Sequence, residues 1–82
     1  MKRPHLNNTL EYLSRLGETT VIDIGAYTGK LARFFRDANS KCIVHAIEAE
    51  MENFKILKHK TAGDKNIFCH NIAIADIIKY IL

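Results

Sequence analysis

The fold is decided by the stretch Val21-Ile22-Asp23-Ile24-Gly25-Ala26-Tyr27-Thr28-Gly29. β-Branched residues dominate its first part, as in a strand that is buried on both faces. Gly25 permits a backbone conformation that a side chain forbids, and Gly29 lets a ligand approach the backbone closely. The pattern predicts a buried strand that turns into a helix and leaves the turn open to a ligand. An ordinary connection between a strand and a helix is the alternative interpretation.

The segments around this turn alternate between helix and strand. Leucines at spacings of four and three predict the first helix, and Thr28 is expected to cap the second. In chain order, the predictions are a helix over 5–16, a strand over 19–24, a helix between Thr28 and Asn39, a strand over 42–47, a helix over about 50–60 and a strand over about 66–70. Residues 72–82 favour a strand, with a short helix as the alternative.

This alternation predicts an α/β fold with a parallel sheet and right-handed crossovers. Ligands bind such sheets outside the carboxyl ends of the strands. Three separate positions therefore come together at one edge, namely the turn at 25–29, Glu48 and residues 71–73. We divide the chain into an N-terminal helical segment, 1–17, and one small domain, 18–82.

Composition narrows the function classes. The 82 residues carry a net charge of +3, but the basic residues are scattered, so a nucleic-acid partner is not expected. The two cysteines lie in separate apolar runs, which favours free thiols in a reducing compartment. We see no signal peptide and no run of about 20 apolar residues, so no membrane partner is expected and the cytoplasm is the predicted location. The four histidines are dispersed, and packing is favoured over metal binding.

The residues of the turn exclude two kinds of phosphate site. Tyr27 and Lys30 stand where a dinucleotide fingerprint needs glycines. The spacing of a P-loop fails by one residue, and Leu31 replaces its hydroxyl side chain. Glu48, nineteen residues after the second glycine, can accept hydrogen bonds from both hydroxyls of a ribose. Asp23 can help to place a ligand amine or can order the turn. The sequence therefore predicts a ligand with a ribose, an ammonium group and no phosphate.

Three motifs resemble a known family. The stretch 23–29 (DIGAYTG) resembles the first motif of class I S-adenosylmethionine-dependent methyltransferases. The stretches 45–58 (HAIEAEMENFKILK) and 69–76 (CHNIAIAD) are similar to segments of the FkbM type. The resemblance covers about 17–80 and implies an incomplete three-layer Rossmann-like parallel sheet, the N-terminal half of a class I methyltransferase fold.

The resemblance implies a site for S-adenosylmethionine and no metal, and it leaves the catalytic residues open. Asp23, Gly25 and Gly29 would line the methionine part, with the backbone of Ala26, Tyr27 and Thr28 closing over it. Glu48 would hold the ribose hydroxyls. Near the adenine would lie Ala49, where the family usually has proline, together with Asn71 and Ile72.

The implied function is methyl transfer, most simply to an oxygen of a small molecule or sugar. The family fold has a seven-stranded sheet, of which this sequence supplies the first three strands and a possible fourth segment, so we expect a truncated chain. The alternative is a non-catalytic cofactor-binding or interaction fragment that needs a partner chain. The first strand would then have an open edge through which a homo-oligomer can form.

Overall fold

Three parallel strands form the centre of the structure. The computed structural model describes residues 11–81, without the side chains of residues 77, 80 and 81. The strands are β1 (Thr19–Ile24), β2 (Cys42–Ile47) and β3 (Ile67–His70), in the spatial order β1-β2-β3. Thr19 pairs with Cys42, and Val44 pairs with Ile67. The predicted bounds of β1 and β2 are confirmed, as is the α/β class with a parallel sheet.

Helices connect the strands. The described part of helix α1 covers 11–15, and the rest of its predicted range lies outside the described residues. Helix α2 (Lys30–Ala38) joins β1 to β2, α3 (Met51–Thr61) joins β2 to β3, and α4 (Ile74–Ile81) follows β3. The prediction that favoured a strand over 72–82 is therefore wrong, because Ile74–Ile81 is helical. In the sequence, isoleucines recur at 74, 77, 78 and 81, which is the spacing of a helix.

The caps of α2 differ from the prediction at one end. Gly29, and not Thr28, is the N-cap residue, with a left-handed backbone (φ 95°) and no capping side-chain hydrogen bond. Asn39 ends the helix as predicted. Its buried amide donates to the carbonyl oxygens of Leu13 (3.0 Å) and Gly17 (2.8 Å). Asn39 therefore also attaches the end of α1 to the sheet layer.

Helices α2 and α3 pack on one face of the sheet. The core there contains Ala32 of α2, Leu57 of α3 and Val44 of β2, each fully buried. The opposite face is exposed in the part of the chain that the structure describes, with Ile22 at 64% and Ile24 at 56% of their accessible area. The expectation that β1 is buried on both faces is therefore wrong for residues 11–81. None of the helices described in this range is long and apolar enough to cross a membrane.

Candidate ligand site at the carboxyl edge of the sheet

The three positions predicted to converge do meet at the carboxyl ends of the strands. A cavity of about 280 Å³ lies between them. Gly25 and Tyr27 line it from the turn after β1, Glu48 and Ala49 from the end of β2, and Ile72 from the segment after β3. The sheet topology therefore brings together residues that are more than twenty positions apart in the chain.

Backbone hydrogen bonds hold the turn against β2. The amides of Gly25 and Ala26 both donate to the carbonyl oxygen of Ile47, each at 2.9 Å. Gly25 has φ 72°, and Tyr27 has φ 52°, a left-handed conformation that is uncommon for a residue with a side chain. The tyrosine side chain is exposed above the turn. The turn is thus a fixed loop that stores backbone strain at Tyr27.

Glu48 has a structural role that sequence reasoning missed. Its carboxylate is buried, with Oε1 accepting from the amide of Tyr27 (2.8 Å) and Oε2 from the amide of Glu50 (3.0 Å). It therefore joins the turn after β1 to the start of α3. Because each carboxylate oxygen has two acceptor positions, one on each remains for a hydroxyl group of a ligand. The acid at the end of β2 was the available signal, but its backbone partners follow only from the tertiary structure.

Asp23 places a buried carboxyl group beside the turn. The residue is 6% exposed, and its Oδ2 atom has no hydrogen-bond partner among the described residues. Burial raises the pKa of this carboxyl group above its usual range. A second cavity, of about 290 Å³, is lined by Asp23 and by residues of the turn, including Ala26 and Thr28. A cationic group in that cavity would offset the cost of burying the carboxylate.

Asn71 is placed beside the first cavity. Its side-chain amide donates to the carbonyl oxygens of Glu48 (2.9 Å) and Ala49 (3.1 Å). Asn71 therefore fixes the backbone between β2 and α3, while its neighbour Ile72 lines the cavity. The structure thus brings Gly25, Tyr27, Glu48, Ala49 and Ile72 around one cavity and Asp23 with the turn residues around the other.

Potential metal ligands are few at this edge. Within 11–81, the structure contains no group of three or more His, Cys, Asp or Glu side chains arranged to hold a metal ion. The thiol of Cys42 lies in the core, where burial raises its pKa.

Comparison with solved structures gives a match to a protein from Clostridium thermocellum that carries the provisional description rRNA-methylase. The TM-score is 0.68 at 14% sequence identity. The match covers 100% of this chain and 47% of the other, so this chain spans about half the length of that protein. At this identity the likeness shows the fold, and the chain has part of a Rossmann-like methyltransferase fold.

Sequence comparisons add no relative. No family model matches the chain, and a search of curated proteins gives no significant match. The FkbM type, read from the three motifs, therefore stays a prediction, as do the cytoplasmic location and the absence of a nucleic-acid partner.

Proposed function

We propose that this chain binds S-adenosylmethionine as the cofactor-binding part of an FkbM-type methyltransferase. The acceptor would be an oxygen of a small molecule or sugar. The observation that carries the proposal is the buried Asp23 carboxylate with its unpartnered Oδ2 atom, beside a glycine turn at the carboxyl edge of a parallel sheet.

The donor set around the turn fits the two ends of this cofactor. The methionine part carries an ammonium group, which can donate hydrogen bonds to Asp23, and such charge-assisted bonds are stronger than neutral ones. The ribose carries two neighbouring hydroxyls, which can donate to the remaining acceptor positions of the Glu48 oxygens. Each of these two carboxylates lines one of the two cavities, and Tyr27 lines both.

The surroundings of Glu48 fit a planar apolar group. Ile47, Ala49 and Ile72 line the same cavity as the carboxylate, and none of them carries a polar side chain. The faces of an adenine ring placed there would pack against these apolar side chains. This supports a nucleoside at the second and third strands and the methionine part at the first.

The cofactor, when bound, supplies an activated methyl group. The chain's own residues would hold it by the contacts described above, and transfer depends on aligning an acceptor oxygen with that methyl group. Besides the two carboxylates used for binding, the ionisable side chains that line these cavities among the described residues are Tyr27 and Lys30. The alternative function is a cofactor-binding or interaction module that needs a partner chain.

Calorimetric titration tests the binding step. We expect the chain to bind S-adenosylmethionine and S-adenosylhomocysteine at one site. The variant Asp23→Asn should bind about tenfold or more weakly, since a hydrogen bond to a charged group contributes about 1.5–3 kcal/mol. The matched control is Asp37→Asn, whose side chain is 69% exposed on α2 and should leave affinity unchanged.

Two results would count against the proposal. One is a folded parent chain that binds neither ligand, and the other is equal affinity in the parent and Asp23→Asn. Transfer of a labelled methyl group to a panel of sugars and small alcohols separates the enzyme from the binding module. Binding without transfer, restored on adding a partner chain, would support the alternative.

A further inference from the structure

Two histidines that are far apart in the sequence meet on the open face of the sheet. His45 of β2 and His70 of β3 approach with Nδ1 of the first 2.9 Å from Nε2 of the second. Their rings are inclined by 23°, with centroids 5.2 Å apart, and the ring of His45 also stacks on Phe68 at 5.2 Å. Both residues lie on paired strands, because β2 from Val44 to Ile47 pairs with β3 from Ile67 to His70. The sheet thus fixes the two backbone positions from which the rings meet.

The separation between these two nitrogens matches a pair of ligands on one metal ion. Imidazole nitrogens bind transition metals at about 2.0–2.1 Å, and two such nitrogens at right angles around one ion lie about 2.9 Å apart. Right-angle pairs occur in square-planar and octahedral coordination, which Cu²⁺ and Ni²⁺ favour over the tetrahedral arrangement of Zn²⁺. In the absence of metal this contact is a hydrogen bond, in which one of the two nitrogens carries the proton. A bound ion would replace that proton, which the other nitrogen of the same ring can take up.

The space next to the pair admits an ion and its remaining ligands. A cavity of about 310 Å³ is lined by both histidines together with Ile22, Ile47 and Ile72. His70 is exposed and His45 half-buried, so water can complete the coordination shell. Because no group of three protein ligands exists within residues 11–81, such a site would have two protein nitrogens and the remainder water.

We infer that His45 and His70 form a cross-strand binding site for a divalent transition-metal ion, with Cu²⁺ bound most tightly and Ni²⁺ next. The order follows the general affinity series of divalent transition metals. Mg²⁺ prefers oxygen ligands and is not expected to bind two imidazole nitrogens. The ion would connect the short edge strand β3 to β2. This site lies on the open face of the sheet and adjoins the proposed cofactor site, since Ile47 and Ile72 line both cavities.

Metal titration of the full chain tests the inference. We expect one equivalent of Cu²⁺ to bind, Ni²⁺ to bind more weakly, and Mg²⁺ to give no heat at the same concentrations. The variants His45→Gln and His70→Gln should each lose about tenfold or more in Cu²⁺ affinity, because one of the two ligand nitrogens is removed. The matched control is His59→Gln, an exposed position on α3, which should bind as the parent does.

A spectroscopic readout separates metal binding from a structural effect. The electron paramagnetic resonance spectrum of bound Cu²⁺ should show two equatorial nitrogens in the parent and one in either variant. The inference is overturned if the folded parent binds no Cu²⁺, or if the double variant His45→Gln/His70→Gln, folded by circular dichroism, keeps the parent's affinity and spectrum.

Discussion

At the scale of single residues, the turn after β1 depends on a close approach between Gly29 and α3. A Cβ atom built on Gly29 would lie 2.9 Å from Cδ1 of Leu57 and 3.2 Å from Cγ2 of Thr61. Gly29 also has φ 95°, which side chains disfavour. Both constraints act at the position where β1 passes into α2. The glycine is therefore required by packing as well as by any ligand.

We expect Gly29→Ala to lower the free energy of unfolding by roughly 1–3 kcal/mol, since it combines backbone strain with overpacking. Urea denaturation followed by circular dichroism measures the change. Gly63→Ala is the matched control, because no atom lies within 4 Å of the added Cβ atom and the backbone there is not left-handed. A loss in Gly29→Ala no larger than in the control would show that the contact with Leu57 relaxes without cost.

At the scale of elements, Asp64 connects α2 to the loop between α3 and β3. The Nε atom of Arg36 donates to Oδ2 of Asp64 at 2.8 Å, and Nη2 of Arg33 donates to the same oxygen at 2.7 Å. Arg36 also donates to the carbonyl oxygens of Ser40 (2.7 Å) and Cys42 (2.8 Å). Burial raises the pKa of the Asp64 carboxyl group, but the hydrogen bonds from Arg36 and from the amide of Asn66 outweigh it and lower the pKa below its usual range.

The variant Asp64→Asn should lose about 1.5–3 kcal/mol of stability at pH 7, because a largely buried charge-assisted hydrogen bond is removed. Since the folded-state pKa lies below the unfolded value of about 3.9, the parent's advantage is present above that pH and decreases as the pH falls. Urea denaturation at several pH values between 2 and 7 measures both effects.

The control for Asp64 is Glu52→Gln, which removes an exposed ion pair with Lys55 (3.6 Å) and should change stability by about 1 kcal/mol or less. A constant difference between the parent and Asp64→Asn across the whole pH range would contradict the assignment of the pKa shift to this ion pair.

At the scale of the whole molecule, residues 11–81 cover the sheet on one face only. The face opposite α2 and α3 carries Ile22, Ile24 and Phe68, with 64%, 56% and 47% of their areas exposed. Parallel sheets are otherwise found with both faces covered, and exposed apolar patches mark contact surfaces. Within 11–81, β1 also pairs with a strand on one side only. These two features favour self-association or a further layer of protein.

We expect the apparent mass of the chain to rise with concentration in gel filtration coupled to light scattering. The double variant Ile22→Ser/Ile24→Ser should shift this rise to higher concentration, because it makes the open face more polar. Ile56→Ser is the control, since Ile56 is 43% exposed but lies on α3. A parent chain that stays monomeric over the full range would exclude association through this face or this edge.

The sequence by itself determined the local order of this protein. The bounds of β1 and β2 followed from short β-branched runs, and the glycine turn followed from its spacing. The meeting of the turn, Glu48 and Ile72 followed from the rule that parallel strands end at one edge. The helix α4 was only the alternative to a strand, because its isoleucines suit both.

Only the tertiary structure decided what depends on contacts between distant residues. It decided that Glu48 binds two backbone amides and that His45 and His70 meet. Among residues 11–81, it also decided that one oxygen of Asp23 has no protein partner and that one sheet face is open. A sequence pattern records which side chains can be buried or charged, but hydrogen-bond partners are set by the register of strands, and coverage is set by what packs against them.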